Sequence, residues 1–120
     1  MIRLLHTADV HLGAKFLGLG DKGMTQREQI RASFKKLISQ AIAEDVDIVL
    51  IAGDLFDANQ QPQANIDLVV EQFSLLAAKN IPICLIGSTS AQVREANPAM
   101  VVMLVRKIGM PTIRSVSIVN

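Results

Sequence analysis

Asp9 and His11 stand two residues apart in the stretch LLHTADVHLG, directly after an apolar run. Gly53, Asp54 and Asp57 follow a second apolar run in VLIAGDLFD, and Gly87, Ser88, Thr89 and Ser90 follow a third in CLIGSTSAQ. Two carboxylates and an imidazole drawn to one point would make a site for a divalent cation. Mixed oxygen and nitrogen donors suit manganese, iron or zinc better than calcium. Each motif alone is weak, since D-x-H and G-D-x-x-D arise easily by chance. Aspartate after a strand is also a common turn former. The competing reading therefore has Asp9 and Asp54 capping turns or helix starts, and His11 as an ordinary loop residue. What favours the site is placement: each motif follows an apolar strand.

Convergence requires elements that carry these loops to one edge. IRLLHT, residues 2–7, reads as a strand. AKFLGLGDKGM, with its glycines, reads as a loop. Over residues 26–44, Ile30, Phe34, Leu37, Ile38, Ala41 and Ile42 recur at helical spacing, with Arg27, Arg31, Lys35 and Lys36 mostly off that face. VDIVLIA, residues 46–52, is the near-continuous apolar run of a strand covered on both faces. A second helix over 62–79 places Ile66, Val69, Val70, Phe73, Leu76 and Ala77 on one stripe, and Pro62 suits its first turn. IPICLI, residues 81–86, is a third strand. NPAMVVMLVRKIG reads as a third helix, with Asn97 as N-cap, Pro98 at the first helical position and Gly109 just past the end. Pro111 comes next, and TIRSVSIV alternates like a half-exposed strand. Strands alternating with helices predict an α/β domain with a mostly parallel sheet, in three layers. Right-handed crossovers set the carboxyl ends of parallel strands along one edge, where open α/β sheets bind ligands. Strand order is left open, so the meeting of Asp9, His11 and Asp54 is an expectation.

A chain of 120 residues fits one domain, taken as 1–120, and buries roughly two thirds of its unfolded surface. Half of it is hydrophobic, which argues against disorder. A formal net charge of +1 gives no electrostatic case for nucleic acid or membrane. The single cysteine, Cys84, cannot form an internal disulfide and reads as a small apolar filler. The first ten residues do not resemble a signal peptide, and no apolar run reaches the ~18 residues of a membrane span. The expectation is a cytoplasmic protein.

LLHTADVHLGAKF, REQIRASFKKLI and VDIVLIAGDLFDAN together resemble the N-terminal part of the calcineurin-like metallophosphoesterases, most of all bacterial DNA repair exonucleases of the SbcD type. The resemblance covers residues 1–87 and implies half of a metallophosphoesterase fold. It implies that Asp9 and His11 hold one metal, that Asp54 bridges two, and that Asp57 supports them. Such centres clamp a phosphate and activate water for in-line attack. It also implies manganese, DNA as substrate, and a coiled-coil ATPase of the SMC type as partner.

The tail, 88–120, departs from the family pattern. Ser88 stands where the family has a metal-binding asparagine, and serine is a shorter, poorer ligand. Thr89 replaces the histidine that would protonate the leaving group, and threonine does not titrate near neutrality. No histidine follows His11, whereas the family uses further ones; His6, inside the first strand, reads as a core histidine or one behind the ligands. A weakly held or absent metal, an impaired and truncated phosphodiesterase, and little or no activity from this chain are expected. The rival is a non-catalytic α/β interaction or dimerisation module, with AMVVMLV (residues 99–105) as either a self-association surface or a buried helix. GLGDKG, residues 18–23, matches the dinucleotide fingerprint G-x-G-x-x-G, but no strand directly precedes it. This also disfavours a flavodoxin-like nucleotide-binding domain. The basic residues Arg27, Arg31, Lys35 and Lys36 read as solvated surface more readily than as a DNA-binding face, because no Trp or Tyr accompanies them.

Overall fold

Apolar and β-branched residues form short strands, and a helix follows each of the first three. In the computed structural model, residues 2–13, 21–56, 61–87 and 89–103 are described. In chain order the elements are β1 (Leu4–Ala8), α1 (Asp21–Ala43), β2 (Ile48–Ala52), α2 (Gln63–Ala78), β3 (Ile83–Ile86), α3 (Ala91–Ala96) and β4 (Val101–Met103). The four strands lie side by side in sequence order, all parallel. The α/β class and the parallel sheet are those the sequence predicts.

Because strand order never reverses, successive right-handed crossovers place the helices on one face of the sheet. The described residues thus supply two layers, a sheet and a helical layer. Leu5, Val49, Ile51, Ile83, Leu85 and Val102 point into this interface. Against them α1 lays Phe34, Ile38 and Ala41, and α2 lays Ile66, Val69, Phe73 and Leu76. These positions repeat every three or four residues, so each stripe is set by its own sequence. The rings of Phe34 and Phe73 meet with centroids 6.2 Å apart and planes tilted by 57°, an attractive geometry for two aromatic quadrupoles. Ala77, expected on the α2 stripe, is exposed, whereas Leu68, Asn65 and Gln72 are buried.

Residues on the opposite sheet face alternate with the core set: Leu4, His6 and Ala8 on β1, Leu50 on β2, Cys84 and Ile86 on β3. Leu50, only 8% exposed, lies outside the main core cluster for this reason. His6 corrects the expectation of a core or supporting histidine. It sits at the middle of the strand that is outermost among the described residues, on the face away from the helices, and is exposed.

Two local expectations are overturned. Residues 21–24, read as loop, belong to the first turns of α1. Gly23 is buried there, and the cost of a helical glycine, about 1 kcal/mol, is small beside what packing supplies. The third helix is also misplaced: it spans Ala91–Ala96, where the side chain of Ser90 accepts a hydrogen bond from Val93 N at 3.2 Å. Asn97 closes this helix instead of opening one. Residues 98 and 99 turn the chain, and Val101–Met103 pairs with β3. Adjacent β-branched valines favour this strand once an open sheet edge is beside them. The expected positions Gly109 and Pro111, and the strand at 112–119, lie outside the described residues. Among the described residues, no helix is long and apolar enough to cross a membrane.

Candidate metal centre

The carboxyl ends of β1, β2 and β3 run into three loops that stack directly on one another. Asp9 N donates to the carbonyl of Ala52 at 2.9 Å, and Gly53 N donates to that of Ile86 at 2.8 Å. These bonds carry the ladder one residue past each strand. Beyond them, His11 N donates to Asp54 O at 3.2 Å and Leu12 N to Leu55 O at 2.9 Å. Leu12 and Phe56 then form an isolated parallel bridge, with Leu12 fully buried. The side chain of Leu12 therefore anchors the loop that bears Asp9 and His11. This anchor could have been found from the sequence, since Leu12 is the apolar residue next to His11 in a stretch otherwise read only for its ligands.

Glycine permits the stack. The Asp9 carboxylate lies over Gly53: a Cβ there would stand 2.5 Å from Asp9 Oδ1. Gly53 in turn lies on Gly87, where a Cβ would overlap the Gly53 carbonyl oxygen. Both have positive φ, 85° and 148°. Asp9 and His11 are themselves left-handed, with φ of 53° and 48°. Asp and His are among the residues found more often than most in that region. Two such residues in one short loop turn successive side chains out of the strand direction.

His11 Nε2 stands 3.8 Å from Asp9 Oδ1, with side-chain exposures of 41% and 72%. Two donors bound to one cation at ~2.1 Å each lie roughly 3 Å apart. The observed pair is slightly wider than that, a difference that a small side-chain rotation on an open rim removes. Asp54, on the neighbouring loop, is exposed and linked to His11 through the backbone. Asp9, His11 and Asp54 are thus all on one sheet edge. Among the described residues, however, no three His, Cys, Asp or Glu side chains are gathered into a ready-made cluster. The donor chemistry fits a cation held by Asp9 and His11, and the geometry stops short of a closed cage. Asp57 and Ser88, the remaining supporting residue and candidate ligand, lie outside the described residues.

Thr89 is half-buried, and its Oγ1 is enclosed without a hydrogen-bond partner among the described residues. An unmet buried hydroxyl costs about 1–3 kcal/mol. Thr89→Val keeps the branched shape and removes that hydroxyl. Urea unfolding is expected to show the variant equal to or about 1 kcal/mol more stable than the parent, and a loss of stability would reveal a partner for the hydroxyl.

Comparisons with known proteins bear on this site. The calcineurin-like phosphoesterase family matches residues 2–87. The DNA double-strand break repair protein Mre11 of Aeropyrum pernix is 40% identical over 83 residues, 69% of this chain and 19% of that protein. The Mre11 protein of Sulfolobus acidocaldarius is 33% identical over 95 residues, 78% of this chain and 24% of its own length. An uncharacterized metallophosphoesterase of Bacillus subtilis, YhaO, is 34% identical over 90 residues, 71% of this chain and 22% of that protein. The chain therefore spans about a fifth to a quarter of the length of these relatives. With the matched region running from β1 through Gly87, across the first two of the stacked loops and up to the glycine that opens the third, the chain belongs to the calcineurin-like phosphoesterase family.

Proposed function

We propose that this chain is a cation-binding phosphoesterase domain with impaired chemistry. Asp9 and His11 would hold a divalent ion, manganese by resemblance, and Asp54 would add a third donor from the neighbouring loop. The observation that carries this reading is the stacked rim: Asp9 seated on Gly53, Gly53 on Gly87, and His11 Nε2 3.8 Å from Asp9 Oδ1. A bound divalent ion supplies Lewis acidity and a water of lowered pKa. The chain's own residues supply carboxylate and imidazole donors and an open approach for a phosphate. Similarity to two Mre11 proteins, whose name states DNA double-strand break repair, supports DNA as substrate class. An SMC-type coiled-coil ATPase as partner belongs to the same reading.

Impairment is expected from Thr89, whose hydroxyl does not titrate near neutral pH and so cannot serve as a general acid, and from Ser88, a poor substitute for a longer amide ligand. Hydrolysis of bis-p-nitrophenyl phosphate or single-stranded DNA with manganese is expected to read near background. Robust turnover would overturn the assignment of impairment. Cation binding has its own test. Manganese at about 100 times its Kd stabilises a folded state that alone binds it by ~2.7 kcal/mol. A corresponding rise in Tm is expected for the parent and is lost in Asp54→Ala. Absence of any rise would refute the cation site.

A second reading, a non-catalytic interaction or dimerisation module, draws support from the sheet face turned away from the helices. Leu4 is 37% and Val101 55% exposed, and apolar patches of this kind are covered by protein in many assemblies. A concentration-dependent dimer with no response to manganese would favour it.

A further inference from the structure

Behind the rim, on its helical side, a chain of amides reaches the loop that carries Asp9 and His11. Arg31 Nη1, on α1, donates to Asn65 Oδ1 on the first turns of α2. Asn65 Nδ2 donates to Gln61 Oε1 at 3.1 Å. Gln61 then packs on Gly13, so closely that a Cβ at Gly13 would overlap Oε1 and stand 3.0 Å from Asn65 Nδ2. Gly13 has φ of 82° and directly follows the buried anchor Leu12. Asn65 is 6% exposed, and its own backbone N donates to Pro62 O at 3.0 Å, which holds it at the helix start. A buried amide with both ends engaged fixes whatever it bonds. This one ties α1 to the loop between β2 and α2, and through it to the far side of the Asp9–Gly13 loop.

We infer that Asn65 is a positioning residue: through Gln61 and Gly13 it holds the Asp9–Gly13 loop in the left-handed course that presents Asp9 and His11 together. Nothing in the helical stripe needs an asparagine at this position. An aliphatic side chain would fill the same buried space between two helices. What it would not do is orient the Gln61 amide over a glycine two residues from His11. The role of this loop in binding a cation rests on the proposed function; the fixing of the loop does not.

Amide hydrogen exchange and manganese titration on the full chain test the two parts separately, with Asn65→Leu and Asn65→Asp as variants. Asn65→Leu keeps the branched shape and removes both hydrogen bonds. Asn65→Asp still accepts from Arg31, and a Gln61 amide turned over can donate to it. For Asn65→Leu without metal, exchange at the His11 and Leu12 amides is expected to quicken at least about tenfold, with Val49 and Ile51 in β2 unchanged. Its affinity for manganese is expected to fall about tenfold, as for loss of groups that orient metal ligands. Asn65→Asp is expected to restore both values to near those of the parent. Unchanged exchange at His11 and Leu12, or equal acceleration across β2, would overturn the inference, the second by showing a purely structural role. A parent chain that binds no manganese would refute the cation site, while the exchange contrast would still establish Asn65 as the residue that fixes the loop.

Discussion

Gly87→Ala is expected to destabilise the domain by about 2–6 kcal/mol and to remove cation binding with it. The added Cβ would overlap the Gly53 carbonyl oxygen and stand 2.9 Å from the Gly53 carbonyl carbon. Both are backbone atoms of an adjacent loop, so no side-chain rotation relieves the clash. The φ of 148° adds strain for any residue with a Cβ. Strained backbone costs of order 1–3 kcal/mol, and overpacking typically adds a further ~1–3 kcal/mol. Relief requires Gly53 to move, and Gly53 is the floor under Asp9. Gly13→Ala provides the control. Its φ is also positive, but its Cβ would overlap mainly Gln61 Oε1, the end of a half-buried side chain that can swing aside at the cost of its hydrogen bond to Asn65. A loss of only about 1–2 kcal/mol is expected there. Urea unfolding of the two variants checks the order. Equal losses would mean that the loops do not stack through Gly53 and Gly87.

Phe73→Ala should cost about 3–5 kcal/mol, the range for aromatic truncation in a core. Phe73 is fully buried near the middle of α2, and its ring meets that of Phe34 across the helix pair. The ring is therefore an apolar link between α1 and α2. Small domains have about 5–15 kcal/mol in all, so the variant should be partly unfolded at modest temperature. Phe34→Ala should cost a similar amount, and the double variant less than the sum, because each loses the same ring contact. Strict additivity in a double-mutant cycle would contradict the ring contact.

Much of this architecture is legible residue by residue. The stripes of Ile30, Phe34, Ile38 and Ala41, and of Ile66, Val69, Phe73 and Leu76, are periodic in the sequence because helix geometry is local. The apolar runs ending at Ala8, Ala52 and Ile86 announce strands, and the polar residues and glycines just past each run announce a rim. From those facts alone Asp9, His11 and Asp54 belong at one edge of a parallel sheet.

The remaining features depend on what lies next to what. The run after Asn97 is equally apolar as helix or strand, and only the free edge of β3 makes Val101–Met103 a strand. His6 looks like a core histidine until strand order puts β1 outermost among the described strands with that face away from the helices. Gly53 and Gly87 read as ordinary turn glycines, yet each is required because another loop's atoms occupy the place of its side chain. Asn65 reads as a polar interruption of a helix, and its use emerges only when α1 and the loop after His11 arrive on either side of it. Periodicity and residue chemistry act along the chain and so determined the elements and the candidate ligands. Contact between distant segments decided how those ligands are seated, because steric exclusion and hydrogen bonding act through space over a few ångströms.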